Sequence, residues 1–145
     1  MNENVIISIR GQQLFDEQEP DVMELITPGT LEQTEDGFTL SYQESELTGL
    51  EGTTTVFRIQ DRQVTLMREG EVNSLMVFEE GQRHLSMYET PYGALAVGIN
   101  TRRMKAELDA AGGDIEIDYA IEVDHAVTGQ NLFQIHVTKA PKVVQ

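Results

Sequence analysis

Ten stretches of the chain alternate apolar and polar residues, and short turns, often carrying a Gly, separate nearly all of them. In the clearest one Ile115, Ile117, Tyr119, Ile121 and Val123 alternate with Glu116, Asp118, Ala120, Glu122 and Asp124. Successive strand side chains point to opposite faces, so this stretch has one apolar face and one acidic face. Gaps of two to five residues cannot carry the crossover that a parallel pair needs. The pattern therefore implies an all-β fold, a single antiparallel up-and-down barrel of eight to ten strands. With 145 residues and no linker, repeat or low-complexity segment, residues 1–145 read as one domain.

Local signals mark the strands. Val5, Ile7 and Ile9 share a face in the first. In the second, Val22–Gln33, Pro28-Gly29 predicts a bulge or an edge position. Glu35-Asp36-Gly37 reads as an Asp-Gly hairpin turn, and Glu46–Gly52 as a bend. Val72–Glu79 and Gln82–Thr90 read as a hairpin, and Thr90-Pro91-Tyr92-Gly93 as a β-turn. Gly93–Leu108 holds good helix formers, but Leu95, Val97 and Ile99 keep one parity while Met104, Ala106 and Leu108 keep the other. That switch predicts one long strand with a bulge near Asn100–Arg102. A loop carrying Gly129 is expected between the last two strands, Asp114–Asp124 and Leu132–Lys139.

Charge narrows the function classes. Three Lys and seven Arg stand against 25 acidic residues, a formal net charge of −15. Nucleic-acid binders need a basic footprint to displace counterions, and anionic membranes attract basic surfaces, so neither partner is expected. Without cysteine, disulfides and thiolate chemistry are excluded. The N-terminal residues show no signal-peptide pattern, and the longest uncharged stretch, Thr90–Thr101, is too short and broken for a membrane helix. A cytoplasmic protein is the expectation.

Catalytic and cofactor motifs are not evident; no phosphate loop, dinucleotide loop or nucleophile elbow appears, and no cofactor is expected. His84, His125 and His136 lack metal-ligand spacing and read as surface histidines. The acidic run Asp16–Asp21 lacks the ordered spacing of a calcium loop and reads as solvated. One constellation carries chemistry. Tyr42 and Glu44 share parity with Phe38 and Leu40, and Arg68 shares parity with Val64 and Leu66. These groups face the barrel interior, and Tyr88 adds another hydroxyl. Two readings are open. Arg68 holds the anionic part of a small ligand bidentately, or it closes a structural ion pair with Glu44. In the second case Arg68→Ala costs roughly 3–5 kcal/mol if the pair is buried.

Leu40-Ser41-Tyr42-Gln43-Glu44, Gly49-Leu50-Glu51-Gly52-Thr53, Arg68-Glu69-Gly70, Met76-Val77-Phe78 and Tyr88-Glu89-Thr90-Pro91-Tyr92-Gly93 follow one another as in the YwiB-like proteins, a bacterial family of unknown function. The chain resembles that family almost from end to end. The resemblance implies a calycin-like (lipocalin-like) β-barrel and a cytoplasmic bacterial setting, and it implies no activity. A non-enzymatic small-molecule-binding barrel is the leading functional expectation, with a filled structural or interaction barrel as the alternative.

Overall fold

The computed structural model of the chain describes residues 2–14, 21–44, 51–70, 73–90, 93–123 and 126–140. Ten strands make it up: β1 (Asn2–Leu14), β2 (Asp21–Thr34), β3 (Gly37–Gln43), β4 (Thr53–Gln60), β5 (Val64–Gly70), β6 (Ser74–Phe78), β7 (Arg83–Thr90), β8 (Gly93–Asp109), β9 (Gly112–Val123) and β10 (Ala126–Lys139). Every strand pairs antiparallel with its neighbours in sequence, and β1 pairs with β10 to close the barrel. The architecture is the all-β antiparallel barrel that alternation predicts, with ten strands.

Alternation turns the apolar side chains inward. Val5, Ile7, Leu40, Phe57, Val64, Ile99, Ile115, Ile117 and Val137 lie fully or almost fully buried in one core. Aromatic rings reach across the lumen, Phe57 towards Phe133 with centroids 6.0 Å apart and Phe78 edge-on to Tyr119 at 4.8 Å. The outward positions carry charges such as Glu24, Arg58, Lys105, Glu107 and Glu116, all exposed.

Cross-strand partners define the interior in rows. Phe38, Ile59, Val64 and Phe78 are successive partners over β3–β6, and Leu40, Phe57, Leu66 and Met76 form the next row. Two residues further along the same strands comes Tyr42, Thr55, Arg68 and Ser74, and the single β6–β7 ladder pair, Ser74 with Tyr88, carries this row into β7. The seams are unequal. Among the described residues the closing β1–β10 ladder has ten partner pairs and the β6–β7 ladder one.

The β8 register shifts between Thr101 and Arg103, so a bulge at Arg102 brings Met104, Ala106 and Leu108 onto the inner face. Two local expectations are corrected, and the bulge or edge position expected at Pro28-Gly29 takes its edge form. β2 runs through Pro28-Gly29 without a bulge; before Thr30 it pairs only with β1 among the described residues, so Pro28 takes an edge position and needs no distortion. The β2–β3 turn is Glu35-Asp36, with Thr34 opposite Gly37, and Gly37 serves packing instead: a Cβ there would sit 1.9 Å from the Ile59 carbonyl oxygen. Gly129 lies inside β10, where a register shift between Val127 and Gly129 absorbs one residue and lets pairing with β9 begin at Ala126. The expected Asp16–Pro20 loop, most of the Glu46–Gly52 bend, Pro91-Tyr92 and His125 lie outside the described residues.

Candidate functional site

β3 and β4 bring the first polar groups together. Tyr42 and Glu44 are inward neighbours on one face, both buried, and Thr55 is the fully buried cross-strand partner of Tyr42. The Glu44 amide donates to the Thr53 carbonyl at 2.9 Å, which keeps the chain extended just past the end of β3. The Thr55 hydroxyl then donates to Glu44 Oε1 at 2.8 Å. A buried carboxylate survives only where such donors replace water.

Burial pushes the Tyr42 phenol well above its ordinary pKa, and the Glu44 charge and hydrogen bond add to the rise. The Arg68 charge and the Thr55 hydroxyl oppose it. Tyr119, from β9, is pushed up to about 12 by burial, with Arg68 again opposing. Arg68 thus places its charge between β3 and β9, and both phenols stay neutral donors at ordinary pH.

Arg68 is half-buried, and its Nε is buried with no hydrogen-bond acceptor. Its cross-strand partner Ser74 is in the same condition, with a buried Oγ and no partner. Ser86 and Thr101, on β7 and β8, add two more buried hydroxyls without partners. Native interiors leave few such groups unsatisfied, so these four are open to water or to a ligand.

The structure therefore joins Tyr42, Glu44 and Arg68 in one polar end of the barrel. Tyr88 extends the row through its backbone pairing with Ser74, and its side chain lies outside the described residues. Of the two readings, the ion pair is not the one seen: among the described residues Arg68 takes part in no salt bridge, and Glu44 accepts from Thr55 and is hydrogen-bonded with Tyr42. Thr55, Ser74, Ser86, Thr101 and Tyr119 were not singled out by sequence reasoning, although each inward parity is readable from apolar strand-mates. The histidines sit apart. His136 is exposed and its Nδ1 lies 2.7 Å from Asp114, while half-buried His84 lies 3.0 Å from Glu79. No cluster able to hold a metal occurs among the described residues.

Beside the row, a cavity of about 310 Å³ opens at the β5–β6 end of the wall. Arg68, Ser74 and Asn73 line it together with the outward-facing Met67, Leu75 and Met87 and the acidic Glu69.

Three comparisons bear on identity. The family model described as Domain of unknown function (DUF1934) matches residues 7–135. An uncharacterized beta-barrel protein, YwiB, of Bacillus subtilis (strain 168) is 27% identical over 108 residues, 74% of this chain and 75% of that protein. The crystal structure of the ywiB protein from Bacillus subtilis superposes with a TM-score of 0.85 at 21% identity, covering 97% of this chain and 94% of that one. That likeness shows a shared barrel fold.

Proposed function

The chain belongs to the DUF1934 family, a domain of unknown function, and we propose that this member is a non-enzymatic barrel that holds a small anion-bearing molecule against the row Tyr42–Thr55–Arg68–Ser74. The observation that carries the reading is the pair of cross-strand neighbours, Arg68 and Ser74, each with a buried polar atom that has no hydrogen-bond partner among the described residues. An anionic oxygen between them would accept from both, and a charge-assisted bond is about twice as strong as a neutral one. Glu44, already accepting from Thr55 and Tyr42, fixes the frame of the site.

A cytoplasmic setting without nucleic-acid or membrane partners belongs to the same proposal. Among the described residues no helix is long and apolar enough to cross a membrane. A membrane barrel turns a continuous apolar band outward, whereas the outward positions here include Arg10, Glu24, Arg58, Lys105, Glu107 and Glu116, all exposed. The alternative is a purely structural barrel, supported by the aromatic rings that fill the lumen below the polar row.

Sodium acetate serves as the simplest probe. Binding raises the midpoint of thermal unfolding by mass action. Acetate is expected to raise the melt of the wild type and to leave that of Arg68→Met unmoved. Without ligand, Arg68→Met should melt close to wild type, since a half-buried side chain outside any ion pair contributes little. Equal and negligible responses in both proteins would favour the structural barrel.

A further inference from the structure

We propose that the ligand is an amphipathic organic monoanion that sits across the wall at β5–β7, its head on Arg68 and Ser74 and its apolar part on the outer lip of Met67, Leu75 and Met87. The inference rests on the anion-holding site and adds the chemical class and the route of entry. The 310 Å³ cavity is lined from both faces of the wall. Arg68 and Ser74 project inward from the rim, while Met67, Leu75 and Met87 project outward, Leu75 48% and Met87 56% exposed. Exposed Leu75 and Met87 lie beside the orphaned polar atoms, which places an apolar surface next to the guanidinium.

The surroundings select the ligand. One cation faces the cavity, whereas Glu69 stands on its outer rim and Glu44 lies one inward step beyond Tyr42. A second negative charge on the ligand would meet those carboxylates, so a monoanion fits and a dianion does not. The depression opens to solvent, so its 310 Å³ leaves room for a small ligand whose chain runs out over the lip. Methionine lips adapt to such a chain because the thioether is flexible and polarizable.

Calorimetric titrations with octanoate, acetate, succinate and octylammonium test this. Octanoate should bind one to one and at least tenfold more tightly than acetate, with succinate and octylammonium weaker than octanoate. Met87→Glu should weaken octanoate at least tenfold while leaving acetate unchanged, and Arg68→Met should abolish both. Equal affinities for octanoate and acetate, or indifference to Met87→Glu, would overturn the amphipathic reading and spare the anion site. Binding of neither anion would end both proposals.

Discussion

Two adjacent rows of the same four strands have opposite chemistry. Leu40, Phe57 and Leu66 lie in a sealed aliphatic and aromatic layer with Met76, whereas two residues along each strand Tyr42, Thr55, Arg68 and Ser74 present hydroxyls and a guanidinium. Backbone geometry is shared, so the difference resides in the side chains alone. The first row derives its stability from burial, and the second holds buried polar groups only partly matched. The lesson is a division along the barrel axis: one layer is closed by packing, and the next leaves polar groups without protein partners among the described residues.

Cutting into the sealed row gives the largest expected effect. Leu40, fully buried, should cost about 2–5 kcal/mol as Leu40→Ala, read from urea unfolding, since both transfer energy and a cavity are involved. A loss below ~1 kcal/mol would show that the two rows do not differ in packing.

Alkaline titration probes the polar layer. An unfolded tyrosine ionises near pH 10, whereas folded Tyr119 keeps its proton to about 12. The unfolded state then binds fewer protons, so stability is complete below pH 10 and falls as pH rises towards 12, by about 2–3 kcal/mol for this group. Tyr42 acts in the same direction. Unfolding free energies of Tyr119→Phe should fall less steeply over that window; identical slopes would remove Tyr119 from the buried layer.

The finest cut is Thr55→Val, nearly isosteric and fully buried. It deletes the donor to Glu44 and should cost about 1–3 kcal/mol at neutral pH by denaturant unfolding. Thr55→Ser, which keeps the hydroxyl, should recover most of that loss, whereas an equal loss in Thr55→Ser would assign it to packing.

Strand parity made most of this legible before any coordinates. It reports which face a side chain takes, and it placed Tyr42, Glu44 and Arg68 inside. Parity cannot report depth or partner. Parity alone left the Arg68–Glu44 pair and the ligand clamp both open, because cross-strand register, which seats Thr55 between Tyr42 and Arg68, is a property of the assembled sheet. The same limit explains Gly129, whose loop-like composition was overridden by ladder pairing with β9. At Pro28 the edge reading held because a proline lacks an N–H wherever it stands, and the absence of a bulge depended on which neighbour β2 has there.

The closing seam has a consequence in time. Val5 pairs with Lys139, a separation of 139 − 5 = 134 residues, so the last ladder is among the most sequence-remote contacts a chain of this length can make. Such topologies fold slowly, because loop-closure entropy is lost before the contacts form. On a ribosome adding 5–20 residues per second, the 139 − 14 = 125 residues between the ends of β1 and β10 take about 6–25 s to emerge. Throughout that interval β1 lacks the partner for one of its edges, with Val5, Ile7 and Ile9 lining the strand. Unfinished barrels are therefore the aggregation-prone species of this protein, and its strongly negative charge is the feature best suited to keep nascent copies apart.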